Sequence, residues 1–495
     1  MNSGYLSTII FLPLAGAIVI AAVPRLSARI IRLIAGAVTL AVLALTLFLF
    51  FRFDRSASGV MQFEELFSWI PSIGANYHLG VDGLSLPLVV LTGLLGFIAV
   101  LISWDVEHRT KEFFIWLLVL ESSILGVFCS LDLLLFFVFW EIEVIPMYFL
   151  ISIWGSGRKQ YSAIKYVIYT LAGSALMLAG IVSLYYATGS LDMVALAQSG
   201  HAMVQSILPA APIFFLLLAG FAVKLPVFPL HTWLPDAHTD APTAASVFLA
   251  GALIKMGGYG MMRLCVSLFP PVARQYAPIM LALAVIGVVY GGAITLRQTD
   301  LKRLIAYSSI SHMGFVLLGI FALSQTSLVG ASLQMVSHGL ITGLLFAVAG
   351  IIMHNAGERD ISRMGGLARQ MPAATTFFIM GGLGALGLPS TSGFAAEFTT
   401  FLGAFTSTAV GGVKVYVLLA LLGVLLAAAY ILWLIQRVFF GPVLQAFNDV
   451  KDADRLQKFY CAIFIVLIFL VGLYPNVLTG VIQSGVTPIT RFLGS

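Results

Sequence analysis

Glu141, Lys224, Lys255, His312, His338 and Glu397 each stand inside a stretch that otherwise reads as lipid-soluble. An ionised side chain at mid-bilayer is costly unless it is paired or hydrated, so a set of six predicts chemistry that needs charge inside a membrane. Carboxylate, ammonium and imidazole groups in series can bind, hold and pass on protons. A proton relay is therefore the first expectation.

The run "LLLFFVFWEIEVIPMYFLISIWG" (133–155) carries two carboxylates, Glu141 and Glu143. On a regular helix, residues two apart point about 200° apart, so both cannot face one site. Glu141, with Trp140 before it and Pro146 after it, is the expected central acid, and Glu143 a secondary group. Asp132, just ahead of this run, is secondary as well.

Lys224 ends another apolar run and is followed by Pro226 and Pro229. Proline removes a donor and clashes with the preceding turn, so the helix must open there and free carbonyls that water or polar side chains have to serve. The break thus brings water to an ammonium group. A lysine that gains and loses a carboxylate partner in such a place can switch protonation near neutral pH.

Lys255, in "SVFLAGALIKMGGYG", has small neighbours that permit close helix packing, and its depth argues against simple snorkelling. His231 and His238 flank the first break with Asp236 and Asp240 nearby. Helix caps or proton-wire groups account for them better than a metal site, and no metal is expected. A second break follows in "GLGALGLPSTSGFAAEFTTFLGAF", with Pro389 and Gly393 at the gap and Glu397 one turn beyond. "GLGALG" also spells a dinucleotide-binding pattern, but it sits in an apolar helix with no strand before it, so it carries no such meaning.

The elements that position these groups follow from composition. The 495 residues are 60% hydrophobic and 9% charged, and the mean hydropathy is +1.03. No soluble domain could cover such a surface. Apolar stretches of about twenty residues match a hydrocarbon layer of roughly 30 Å crossed by helices. The fold class is an all-α polytopic membrane protein with about fourteen spans, near 4–23, 33–51, 84–104, 112–130, 133–154, 162–187, 209–230, 242–262, 277–296, 304–323, 328–354, 372–406, 413–440 and 458–484. Arg25, Arg29 and Arg32 follow the first apolar segment, where a cleavable signal would have its charges in front. That segment is expected to be a retained helix.

Alternating the loops puts eighteen of the 26 basic residues on one side and six on the other, with Lys224 and Lys255 inside the membrane. The richer side is expected to be cytoplasmic and both termini to lie outside, in a bacterial inner membrane. The net charge of +5 then reflects topology, not nucleic-acid binding. Three distant cysteines support neither disulfides nor an iron–sulfur cluster.

Two interrupted helices in corresponding places suggest inverted five-helix repeats. Spans four to eight (112–268) would form one and spans nine to thirteen (269–442) the other, after an N-terminal unit (1–111) and before a last span (443–495). On that pairing Lys224 matches Glu397, Glu141 matches His312, and Lys255 falls between the halves.

The segments "FFVFWEIEVIPMYFLISIWG", "FAVKLPVFPLHTWLPDAHTDAPTAASVFLAGALIKMGGYG", "ERDISRMGGL" and "LGLPSTSGFAAEFTTFLGAF" together resemble the antiporter-like subunits of NADH:quinone oxidoreductase (respiratory complex I), the subunit M type above all. The likeness covers about residues 76–440. It implies a charged pair of Glu141 and Lys224, a relay at Lys255, a wire through His312 and His338, and delivery at Glu397, where subunit M types bear glutamate and their paralogues lysine. Glu143 is a second carboxylate that cyanobacterial and plastid counterparts also have. The chain ends after the last span without the lateral helix expected of subunit L types.

The resemblance further implies neighbouring membrane subunits of L and N types, and NADH, FMN, iron–sulfur clusters and quinone carried by other subunits, with no cofactor on this chain. A multisubunit Na+/H+ antiporter is the alternative reading, and the genes alongside would separate the two.

Overall fold

The computed structural model describes residues 4–199 and 209–491. In lipid every backbone N–H and C=O must be satisfied within the segment, so apolar runs of this length become helices. Among the described residues eleven helices are long and apolar enough to cross a membrane. Leu86–Ile102, Ala210–Lys224 and Pro372–Ala385 are shorter apolar helices, and the last two stop at the two proline-marked breaks.

Burial sorts the helices into an inner and an outer set. Thr243–Val266 is buried along its whole apolar window and Leu301–Phe321 and Gln325–Ala356 over 94% of theirs, against 33% for Ala28–Arg52 and 28% for Arg455–Leu473. Lys255, His312 and His338 ride on those three inner helices. Their ends are fixed by local chemistry: Asp300 accepts from Arg303 N at the start of one. Ser324 and Ser327 form a reciprocal capping box at the start of another, which ends at Gly357 with a left-handed φ of 67°.

The fifth span, Leu133–Trp154, is interrupted within its length. Leu133–Ile142 and Val144–Trp154 are separate helices that meet at Glu143. The last run divides too, with Arg455–Leu473 ending before Pro475 and Asn476–Thr490 following as a second helix, where the sequence suggests one span over 458–484. Proline has no N–H to continue the ladder, which accounts for the stop. Asn476–Thr490 buries Leu478, Val481, Ile482, Gly485, Val486 and Ile489, a one-faced helical spacing.

An antiparallel hairpin, Gln62–Ile70 with Ala75–Val81, lies between the second and third helices, and sequence reasoning did not foresee it. It ties down one face of the molecule. Leu6 N and Ser7 N donate to the Glu65 carboxylate, and Asn76 N donates to Asp132. Ser58 Oγ reaches Ser484 O from the neighbouring loop, so the described parts of both chain ends sit on this hairpin face.

The two halves repeat specific backbone bonds. Leu133 N donates to Leu191 O and Met193 N to Leu131 O; 168 residues on, Leu301 N donates to Arg359 O and Ile361 N to Thr299 O. The first bridge faces the hairpin through Asp132, whereas the second lies on the opposite face, where Arg359 contacts Ser156 beyond the far end of Val144–Trp154. Around the breaks, Leu225 N to Phe221 O, Val227 N to Ala222 O and Leu230 N to Val227 O recur 161 residues on as Leu386 N to Gly382 O, Leu388 N to Leu383 O and Thr391 N to Leu388 O. On that register the counterpart of Lys224 is Ala385, and that of Glu397 is Asp236. The expected match of Lys224 with Glu397 is thereby corrected: the lysine precedes its break and the glutamate follows its own.

Candidate proton-relay site

Lys224, 1% exposed, donates from Nζ to Glu143 Oε1, and Glu143 is fully buried. Tyr166 OH donates to the other oxygen of Glu143 at 2.6 Å and lies 3.4 Å from Lys224 Nζ. The ammonium also stands 5.5 Å from the Trp140 ring and 5.4 Å from that of Tyr166, each a cation–π partner in a desolvated place. Trp233 Nε1 serves the Val223 carbonyl at 2.8 Å, beside the helix opening. The first break thus holds a buried ion pair whose carboxylate accepts on both oxygens.

The direct partner of Lys224 is therefore Glu143, and not Glu141. The two carboxylates do face different ways, as their separation of about 200° requires, but it is Glu143 and not Glu141 that faces inward. Glu141 is half-buried and borders an outward-facing, apolar cavity of ≈490 Å³ that includes Ile142, Ile145, Tyr148, Ile164 and Leu171. Its Oε1 is buried without a hydrogen-bond partner.

Lys255 is fully buried. Its Nζ donates to Ala250 O, five residues back, where the Leu249–Leu253 π-turn re-aims the carbonyls, and lies 2.7 Å from His338 Nδ1. With the lysine protonated, Nδ1 must be the acceptor, so a neutral His338 carries its hydrogen on Nε2. The His338 and His312 rings are 5.5 Å apart. His312 Nδ1 lies 3.3 Å from Glu397 Oε1, and Tyr430 OH 3.5 Å from His312 Nε2. Lys255, His338, His312 and Glu397 form one line across the inner helices.

A cavity of ≈10 Å³ bordered by Ser308, His312, Gln334, His338 and Glu397 lies along that line. One water needs roughly 10–15 Å³. The second break shapes its far end. Gly387 has a φ of +73°, and the Glu397 carboxylate lies 2.8 Å from where a Cβ would stand. Gly393 lets Ser392–Phe405 pack against the Gly384 carbonyl, and Ser337 Oγ donates to Ser392 Oγ at 2.8 Å. The two sites meet at Gly257, two residues past Lys255, which packs on the Phe221 carbonyl and Leu225 amide of the first break.

The secondary candidates divide. Asp132 caps Leu133–Ile142, accepting from Leu134 N and Leu135 N, a structural task. His231 stacks on Phe228 and touches Tyr290, at 5.6 and 5.2 Å between rings. His238 stacks on Phe346 at 5.1 Å, with neither ring nitrogen hydrogen-bonded. Asp236 pairs with Lys165 at 2.7 Å and Arg303 at 3.4 Å. Among the described residues no group of three His, Cys, Asp or Glu is arranged to hold a metal ion, and the three cysteines are free and buried.

Sequence reasoning missed Tyr166, Tyr430 and the buried pair Asp82–Arg263. A tyrosine in an apolar helix carries no charge to mark it. Arg263 closes an apolar run and reads as a loop residue, although it is only 8% exposed.

Residues 130–425 match the family described as "NADH:quinone oxidoreductase/Mrp antiporter, TM". The chain is 41% identical over 506 residues to the NADH-quinone oxidoreductase subunit M of Rhodobacter capsulatus, covering 98% of this chain and 96% of the relative. It is 40% identical over 496 residues to NAD(P)H-quinone oxidoreductase chain 4 2 of Thermosynechococcus vestitus, covering 98% and 92%. Its fold is similar to that of a chain in the structure "Respiratory complex I from Thermus thermophilus with bound NADH", with a TM-score of 0.89, 27% identity, and 99% and 100% of the two chains covered.

Proposed function

This chain belongs to the NADH:quinone oxidoreductase/Mrp antiporter family, and on that premise we propose that it is a proton-translocating membrane subunit of a respiratory complex I, of the subunit M or chain 4 type. Quinone reduction on other subunits drives it. NADH, FMN, iron–sulfur clusters and quinone are assigned to those subunits, and this chain contributes a path for protons.

The observation that carries the reading is the buried line Lys255–His338–His312–Glu397. Each group in it alternates between donor and acceptor when it gains or loses one proton, and a water in the small cavity would bridge His338 Nε2, which has no protein partner, to His312, so that a proton entering at Lys255 can leave at Glu397. The pair Glu143–Lys224 acts as the loading element. While the carboxylate is ionised the lysine keeps its charge; protonating or withdrawing it leaves a desolvated ammonium that releases a proton. Glu141 is the acid that exchanges with this pair, from the cavity at the outer surface of the bundle.

An ionisable group is costly against lipid, so the cavity that Glu141 borders is the surface on which an adjacent membrane subunit of the L or N type would pack. The matched bonds about Leu133 and Leu301, on opposite faces, support two inverted repeats over 112–268 and 269–442. The basic-residue bias supports a hairpin face outside a bacterial cytoplasmic membrane and both termini there.

The test is Lys255→Ala in the whole complex, reconstituted in liposomes. The proposal expects assembled complex and uncoupled quinone reduction to persist while proton pumping falls. Pumping at the parental ratio of protons to electrons would refute it.

A further inference from the structure

We propose that Tyr259, Arg263 and Asp82 form a second port that connects Lys255 to the hairpin face of the membrane, separate from the line that ends at Glu397. The inference rests on the relay assigned to Lys255 above, and extends it.

Three observations carry it. First, Lys255, Tyr259 and Arg263 follow one another at four-residue steps on the inner helix Thr243–Val266, and so lie along one side of it, about 6 Å apart in rise. Second, Arg263 Nη2 pairs with Asp82 Oδ1 at 2.7 Å and its Nε lies 3.4 Å from Tyr259 OH, so the polar groups continue from the buried middle to the end of the helix. Third, a cavity of ≈260 Å³ opens where that series ends, bordered by Asp82, Arg263, Ser267, Gln198 and Arg491. That volume holds many times the roughly 10–15 Å³ one water needs.

The backbone is shaped for the same purpose. Met261–Val266, which carries Arg263, is a π-helical segment, and such turns are frequent at functional sites. Asp82 Oδ1 also accepts from Leu84 N and Ser85 N at 3.0 Å each, which fixes the carboxylate at the mouth.

The proton accounting is simple. The port requires one water between Lys255 and Tyr259: it accepts a proton from the Lys255 ammonium and passes one to the Tyr259 oxygen, which releases its own toward Asp82 and the water of the cavity. One proton leaves Lys255 and one reaches the hairpin face. Arg263 stays protonated throughout and fixes the position of Asp82 at the mouth.

An ion pair that only clamps the hairpin to the inner helix would not need the Tyr259 hydroxyl, and the experiment turns on that difference. In the whole complex in liposomes, Tyr259→Phe keeps the ring and the Asp82–Arg263 pair. The port predicts that protons moved per electron fall below the parental ratio, with assembly and uncoupled quinone reduction unchanged. Ser267→Cys, modified by a charged, membrane-impermeant thiol reagent applied from the hairpin face, should lose pumping likewise, the three native cysteines being buried.

Parental pumping in Tyr259→Phe would overturn the port. Lys255→Ala, measured beside them, separates the two ideas: pumping lost there but kept in Tyr259→Phe defeats the port alone, and pumping kept in Lys255→Ala defeats the relay on which the port depends.

Discussion

Glu143, and not Glu141, is the carboxylate that Lys224 touches, and Tyr166 fills its second oxygen. A desolvated pair costs more in lost hydration than one contact returns, unless further hydrogen bonds and a fitted environment offset it. Here Tyr166, Trp140 and Trp233 provide that environment around the open turn. Two carboxylates two residues apart thus have different tasks, one fixed against the lysine and one facing the outer cavity.

That division predicts two outcomes. Glu143→Gln removes the charge that keeps Lys224 protonated, so pumping and the stability of the assembled complex should both fall, a broken buried pair costing about 3–5 kcal/mol. Glu141→Gln leaves the pair intact, so assembly should be near parental while pumping drops. Thermal stability and pumping measured together on both variants check this, and equal losses of stability would contradict it.

Gly387 is constrained twice, by its φ of +73° and by the Glu397 carboxylate beside it. Gly387→Ala should cost about 1–2 kcal/mol for the left-handed backbone and push Glu397 away from His312. The expected result is lower pumping from a complex that still assembles, and unchanged pumping would show that Glu397 does not depend on this turn.

His78, on the hairpin outside the membrane, has its pKa raised: burial pushes it down, but hydrogen bonding and charge from Asp192, with Glu64, outweigh that. A raised value means the protonated form is favoured by folding. The added stability is complete below the ordinary histidine value of about 6.5 and is lost as pH rises through the raised one. Hydrogen exchange in Gln62–Val81 should therefore speed up across that window, beyond its intrinsic pH dependence, and Asp192→Asn should flatten the change.

Much of the fold was legible because lipid imposes simple rules. Apolar runs of twenty residues marked the helices, and Pro226 and Pro389 marked the breaks. Lys255 and His338 were each recognisable as buried ionisable groups, but their contact joins residues 83 apart in sequence, which no local pattern reports. Glu143 was misjudged for a related reason. Its helical neighbours Met147 and Leu150 are apolar and Glu141 has Ile145 and the amphipathic Tyr148, too small a difference in hydropathy to tell the inner face from the outer one. The hairpin, with its broken alternation through Glu64 and Glu65, gave too little period-two signal to stand out.

The central claim is that protons pass along Lys255, His338, His312 and Glu397. Its most direct test is the ratio of protons pumped to electrons transferred by the whole complex in liposomes when His338 is replaced by leucine, which keeps bulk and removes the exchangeable site. The account predicts an assembled complex with quinone reduction in the presence of uncoupler and little pumping through this subunit. A His338→Leu complex that pumps at the parental ratio would contradict it.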